Sequence, residues 1–304
     1  MAAWLDEVVS EDRLLLPGHA ACAGCGPAIN VRHLLDGLAA AAPERPIVLV
    51  IPASCWTIVA GVWPLNAFGV TVYLTPFASS AAEASGLAAG LRLRGHADAQ
   101  IVVWAGDGAT ADIGFSGVSA AAERGEDLVY VLNDNEAYMN TGVQKSGATP
   151  EGAWTTTTPA GAPRRGVKKD VDRIMAAHGI PYVATLAAGS VPMLKDFRAK
   201  ATRAAGLRGF RFLHVLGSCP PGWRHPTSQT TEVTRLAVES RYFPLLEVED
   251  GRWRITYTPK HPVPVADFLA TQGRFAHLSP EEIAEIQRHL DERWELLSAL
   301  AEAA

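Results

Sequence analysis

Two sets of residues in this 304-residue sequence have types and spacings that could do chemistry. The first is Gly106-Asp107-Gly108, which follows the apolar run Ile101-Val102-Val103-Trp104 and is answered later by Asn133-Asp134-Asn135-Glu136-Ala137. A β-branched run of this kind predicts a buried strand, so Asp107 is expected at its carboxyl end, beside a helix N-terminus. Free backbone N–H groups there attract a phosphate, and Gly108 would let the backbone approach it closely. A carboxylate in that place would repel the phosphate unless a hard divalent cation such as Mg2+ bridged the two. Leu128-Val129-Tyr130-Val131-Leu132 predicts the next parallel strand, one strand-helix-strand unit further on, which delivers Asn133, Asp134 and Asn135 to the same sheet edge. A lone Gly-Asp-Gly is equally an ordinary strand-to-helix turn, and it is the paired downstream turn that argues for a site.

The second set is the four cysteines. Cys22 and Cys25 stand in Pro17-Gly18-His19-Ala20-Ala21-Cys22-Ala23-Gly24-Cys25-Gly26-Pro27. Cys55 follows the predicted strand Ile47–Ile51, and Cys219 follows the predicted strand Phe210–Leu216. All four thiols could therefore converge on one edge of the sheet. Such a set suits structural zinc, a redox disulfide or an iron-sulfur cluster. Spacing leaves zinc and [4Fe-4S] both open, although structural zinc usually takes two Cys-x-x-Cys pairs and this chain has one. The plainer alternative is four buried, unconnected thiols.

The elements that must position these residues read as α/β. Ala109 to Arg124 predicts a helix, and Thr75 to Gly90, rich in Ala and Ser, a tightly packed helix or, alternatively, a loop touching a cofactor. Tyr138 to Asp170 is a long loop dense in Thr, Gly, Pro and basic residues, including Thr155-Thr156-Thr157-Thr158-Pro159 and Lys168-Lys169. Loops of that length in compact domains are usually functional or disordered. Val171 to His178, a strand Tyr182–Thr185, a helix over Met193 to Ala205 and the strand ending at Leu216 continue the alternation. His178 and His214 read as structural. Beyond about Thr230, Trp253–Tyr257 predicts an edge strand, and Pro280 to Ala304 an amphipathic helix with Ser279 as N-cap and two acids in its first turn. The expected organisation is a domain over residues 1–230 with a C-terminal arm, 231–304, packed on that domain or on a partner.

Composition bounds the function. With 48% hydrophobic residues the chain can bury a large core, and a net charge of −5 gives no electrostatic reason to expect nucleic acid or an anionic membrane as partner. The opening Met1-Ala2-Ala3-Trp4-Leu5-Asp6-Glu7 has early acids and no basic-then-apolar pattern, so no secretory signal is expected and a cytoplasmic protein is. Ile47 to Trp63, the most apolar stretch, is short for a membrane span and reads as a core strand followed by a site loop.

Gly106-Asp107-Gly108 with the later Asn135 turn resembles the thiamine diphosphate motif. The longer strings, Gly106-Asp107-Gly108-Ala109-Thr110-Ala111-Asp112-Ile113-Gly114 and Asp134-Asn135-Glu136-Ala137-Tyr138-Met139-Asn140-Thr141-Gly142, resemble the β subunit of pyruvate and other 2-oxoacid:ferredoxin oxidoreductases, and the likeness runs from about Gly18 to Trp294. It implies a doubly wound, mainly parallel sheet of the thiamine diphosphate-binding fold. It further implies that Asp107, Asn135 and the Ala137 carbonyl hold Mg2+, that Gly108, Ala109 and Asn140 touch the cofactor, and that Asn140 and Thr141 are catalytic. Gly-His-x-x-Cys-x-x-Cys-Gly and Cys219-Pro220-Pro221-Gly222-Trp223 match the subunit's [4Fe-4S] ligands, making Cys22, Cys25, Cys55 and Cys219 the expected set.

The activity so implied is oxidative decarboxylation of a 2-oxoacid, pyruvate first, to acyl-CoA and CO2, with electrons passed through the cluster to ferredoxin. The alternatives are another 2-oxoacid such as phenylglyoxylate or oxalate, a non-redox thiamine decarboxylase or carboligase with structural zinc, and an inactive scaffold. The implied partners are an α subunit supplying the glutamate that activates the pyrimidine, γ and ferredoxin-like δ subunits, and a partner-bound CoA. Trp56, Thr57 and Ile58 are candidates to line the acyl pocket. Relatives that use 2-oxoglutarate carry a lysine where Ile58 stands, so poor use of that acid is expected. Trp56-Thr57 also departs from the Cys-Leu-Glu of pyruvate-type members.

Overall fold

A computed structural model describes residues 14–303 except 63 and 165. The opening segment and Trp63, on which parts of the signal and span expectations rest, thus lie outside the described residues. Eight strands form one sheet in the order β2-β1-β3-β4-β6-β5-β7-β8. They are β1 (Ile47–Pro52), β2 (Thr71–Thr75), β3 (Gln100–Gly106), β4 (Leu128–Asp134), β5 (Tyr182–Leu186), β6 (Phe210–Leu216), β7 (Leu245–Glu249) and β8 (Arg252–Tyr257). β1 to β6 pair in parallel, whereas β7 joins β5 antiparallel and β8 closes the edge as a hairpin with β7.

Alternation along the strands explains the two layers. Leu49, Val102, Trp104, Val131 and Leu213 face α1 (Gly26–Ala41) and α7 (Val191–Gly206) in one core. Val50, Val103, Ala105, Tyr130 and Phe212 face α3 (Ser80–Leu93), α5 (Phe115–Glu123) and α6 (Val171–Ala177) in the other. A sheet buried on both faces needs this near-continuous apolar run, and helices on both sides make the expected doubly wound α/β architecture. The segment after residue 230 contributes α9 (Thr230–Glu239), β7, β8, α10 (Val265–Ala270) and α11 (Pro280–Glu302), with a third core around Trp223, Tyr242 and Phe268. Ser279 and Glu282 close a reciprocal capping box on α11, as its sequence predicts.

Three elements differ from the sequence reading. Thr75 ends β2, so the small-residue helix starts only at Ser80. The expected helix from Ala109 is broken into α4 (Asp107–Ala111) and α5, because Asp112 leaves helical geometry to accept from Gly147 N (2.8 Å) and Tyr138 Oη (3.1 Å). The stretch after β1 is no loop: Ser54 caps a short helix, α2 (Cys55–Val59), by accepting from Trp56 N. Between Tyr138 and Asp170 there is no helix or strand among the described residues, and the threonine string is tied back onto 142–145 through Thr156 N to Val143 O (2.9 Å) and Lys145 N to Thr157 Oγ1 (2.9 Å).

Candidate functional site

β3 and β4 run parallel with Gly106 opposite Asn133, so Asp107 and the Asn135 turn emerge side by side at the carboxyl edge. They line one cleft of about 120 Å³, together with Ala53, Ser54, Cys55, Thr57, Phe77 and Tyr138. Gly108, Ala109, Ala137, Asn140 and Thr141 share this lining, which brings together every residue expected at the cofactor. Two larger cavities, of about 620 and 440 Å³, lie under α11.

Asp107 is 2% exposed, and burial together with the charge of Asp134 pushes its pKa well above the carboxylate range. The Ser146 hydroxyl donates to it. Asn135 Oδ1 is buried with no hydrogen-bond partner. A buried acceptor without a donor is costly, and a buried carboxylate short of positive charge is more so. Two oxygen donors that lack a counter-charge, with the Ala137 carbonyl in the same turn, fit a hard cation such as Mg2+. Gly108 does leave room for a close approach, but the group using it here is the Tyr138 ring, 2.3 Å from where a Cβ would stand. Tyr138 in turn stacks on Phe77 at 5.6 Å.

The turn itself rests on buried charge. Burial would raise the Asp134 pKa, but Lys168 and His214 overcome it and hold the carboxylate low. His214 lies between Asp172 (Nδ1 to Oδ1, 2.8 Å) and Asp134 (Nε2 to Oδ2, 2.9 Å). Burial would lower its pKa, yet the two carboxylates raise it to about 9. It is the satisfied core histidine its sequence context suggests, and His178 Nε2 meets Ser119 Oγ at 3.2 Å.

The cysteines take their places from loops at the same edge. Cys25 caps α1, Cys55 opens α2 after β1, and Cys219 precedes α8 (Pro220–Trp223) after β6. Gly24, at φ +70°, passes so close to the Thr227 backbone that no side chain fits. All four are free thiols. Burial, with repulsion from the other thiols, pushes Cys25 up to about 12 and Cys219 to about 11. The four are thus close enough to act on one another electrostatically, yet among the described residues no three His, Cys, Asp or Glu side chains are gathered tightly enough to hold an ion. Cys25, Cys55 and Cys219, three thiols that resist ionising alone, with Cys22 beside them, fit a group that brings positive charge to them.

The expected acyl pocket is only partly assembled. Thr57 lines the cleft, but Trp56 is 3% exposed and packs edge-on against Trp104 at 5.6 Å, so its ring is not available to a substrate. Ile58 is 57% exposed on the outer face of α2, outside the lining. Phe77 lies before the helix and lines the cleft, as the loop alternative for Thr75 to Gly90 has it, whereas Ser146 stood unmarked within a Ser, Gly and Thr-rich loop.

The profile of a family described as thiamine pyrophosphate enzyme, C-terminal TPP binding domain, matches residues 59–215. Fold and site therefore define a thiamine pyrophosphate enzyme with its diphosphate-binding domain in this chain. Ketoisovalerate oxidoreductase subunit VorB of Pyrococcus horikoshii is 44% identical over 94% of this chain and 92% of its own length. Pyruvate synthase subunit PorB of Methanocaldococcus jannaschii is 46% identical over 92% of this chain and 95% of its own. The chain belongs to their family, the β subunits of 2-oxoacid:ferredoxin oxidoreductases. A solved 2-oxoglutarate:ferredoxin oxidoreductase from Magnetococcus marinus shares the fold, with a TM-score of 0.59 at 20% identity, over 74% of this chain and 79% of that one. No helix among the described residues is long and apolar enough to cross a membrane.

Proposed function

We propose that this chain is the cofactor-binding β subunit of a cytoplasmic enzyme that oxidatively decarboxylates a 2-oxoacid with a small, uncharged side chain, pyruvate first and ketoisovalerate second. The product is acyl-CoA, and the two electrons released pass through a [4Fe-4S] cluster to ferredoxin. The observation that carries the reading is one sheet edge bearing both the cation-seeking pair, Asp107 and Asn135, and four thiols, with Cys55 in the lining of the same cleft. Thiamine diphosphate supplies, when bound, the nucleophilic carbon and electron sink for decarboxylation. Asp107, Asn135 and the Ala137 carbonyl would hold Mg2+, and the N–H groups of Gly108 and Ala109 would help to bind the diphosphate. Asn140 and Thr141 lie on the exposed rim of the cleft, where Thr141 Oγ1 is held by Gln144 Oε1 at 2.6 Å. Cys22, Cys25, Cys55 and Cys219 would ligate the cluster, whose chemistry, when bound, is one-electron transfer.

A cleft of about 120 Å³ is well below the roughly 300 Å³ of a typical ligand pocket, which supports completion by an α subunit carrying the pyrimidine-activating glutamate and by γ and δ subunits that bring CoA and further clusters. Among the described residues the lining holds no Lys, Arg or His, so this chain offers no cation to a second carboxylate on the substrate, and burying one unpaired costs several kcal/mol. Purification of the complex without oxygen and assay with pyruvate, ketoisovalerate, phenylglyoxylate and 2-oxoglutarate, each with CoA and a low-potential acceptor, tests this. A brown protein bleached by dithionite, with kcat/KM for pyruvate or ketoisovalerate at least about a hundredfold above 2-oxoglutarate, is expected. A colourless zinc protein would remove the redox step, and a preference for 2-oxoglutarate would overturn the substrate class.

A further inference from the structure

Glu136 sits between the two residues assigned to the cation, Asn135 and Ala137, and its conformation sets how their oxygens relate. Its φ is +65°, a region that side-chain-bearing residues rarely adopt. Glycine would take this conformation at less cost, so the carboxylate must contribute something glycine cannot. Every polar group of Glu136 is engaged. Its N–H donates to Asp134 Oδ1 (2.8 Å), and its carbonyl accepts from Thr149 Oγ1 (2.7 Å). Oε1 accepts from Lys168 (2.8 Å) and Tyr242 (2.7 Å), and Oε2 from Arg274 Nη2 (2.6 Å).

Arg274 is itself built in. It is 2% exposed, Gln272 Oε1 accepts from its Nε at 2.9 Å, and its backbone carbonyl accepts from Trp154 N at 2.9 Å. Its guanidinium lies 3.8 Å above the ring of Trp223. The Trp223 indole N–H donates to the carbonyl of Asn135 at 2.8 Å. Asn135 and Glu136 are therefore gripped from behind by two stacked side chains. One of these lies four residues beyond Cys219, and the other comes from the C-terminal segment.

We propose that Trp223 and Arg274 are positioning residues for the cation turn: the indole fixes the Asn135 carbonyl, and the guanidinium fixes the Glu136 carboxylate, holding the left-handed residue that joins Asn135 to Ala137 in the lining of the cleft. The inference rests on the proposed assignment of Asp107, Asn135 and Ala137 to Mg2+. Outer partners of metal ligands typically contribute about 10- to 100-fold in metal affinity. Lysine at 274 would keep the charge but lose the planar fork and the stacking. Phenylalanine at 223 would keep an aromatic ring under Arg274 and lose the N–H together with part of the buried indole volume.

The test uses the complex assembled with parent, Trp223→Phe, Arg274→Lys, Arg274→Met or Asp107→Ala chains, each loaded with thiamine diphosphate. Cofactor retained through gel filtration at graded Mg2+ is measured beside the Tm. Arg274→Met is expected to raise the Mg2+ needed for half retention by about 10- to 100-fold, with Arg274→Lys and Trp223→Phe each several-fold and a modest fall in the Tm of Trp223→Phe from the lost buried volume. Parental Mg2+ dependence in both Trp223→Phe and Arg274→Lys overturns the inference, and these two decide it even where Arg274→Met does not fold. Parental dependence in Asp107→Ala overturns the cation assignment itself. Loss in Asp107→Ala with no change in the bridge variants overturns the bridge alone.

Discussion

The cation turn and the cysteine edge lie at the same end of the sheet but are built in opposite ways. The turn is held by side chains: Asp134, Glu136 and Asp172 are buried, and each is answered by Lys168, His214, Arg274 or Tyr242. The cysteine edge is held by backbone, through Cys25 N to Cys22 O (3.1 Å) and Gly26 N to Ser218 O (3.0 Å), while its thiols stay free. Preorganised donors suit a cofactor that arrives and is aimed, whereas a set of thiols is drawn into final geometry by the group it binds.

The largest effect expected from breaking this contrast is at Glu136. Glu136→Ala leaves Arg274 buried without its carboxylate and Lys168 with Asp134 alone, and removal of one partner of a buried pair costs about 3–5 kcal/mol. Thermal unfolding should show a fall in Tm of several degrees or more. A fall no larger than that of an average surface substitution would mean that the network is not what holds the turn.

Next is pH. His214 has its folded pKa raised from 6.5 to about 9, so the stability it contributes is complete below pH 6.5 and is lost as pH rises through 9. The contribution is on the order of 3 kcal/mol. Parent Tm should therefore drop between pH 6.5 and 9.5 more steeply than that of His214→Gln, and parallel curves would contradict the charged Asp172–His214–Asp134 arrangement. The low pKa values of Asp134 and Asp172 place their own losses at the acid end, below the ordinary carboxylate range. The smallest effect belongs to the other region. Cys22→Ser in cluster-free protein should change stability by no more than about 0.5 kcal/mol, since Cys22 is exposed, while abolishing the dithionite-bleachable absorbance after cluster reconstitution.

Legibility in the sequence follows the same division. Strand positions were readable because buried parallel strands must be apolar and β-branched, and they carried Asp107, Asn135 and Cys219 to the right edge. The directions of Trp56, Thr57 and Ile58 were not readable, because they depend on α2. A helical turn sends consecutive side chains about 100° apart, and so Trp56 goes into the core, Thr57 to the cleft and Ile58 to the surface. Nor was the grip on Glu136 readable, since Arg274 and Tyr242 stand far away in the chain and only the packing of the C-terminal segment brings them to it.

Asp107 and the Asn135 turn are assigned, in the function proposed above, to binding thiamine diphosphate through a divalent cation. The most direct test of this assignment is the affinity of the complex for thiamine diphosphate at graded Mg2+, for parent and Asp107→Ala chains. With this assignment, parental binding should rise steeply with Mg2+ and be abolished by EDTA, and Asp107→Ala should lose more than the roughly 100-fold attributable to an outer partner, with partial recovery only at high Mg2+. Equal affinities for the two proteins at low Mg2+ would contradict it.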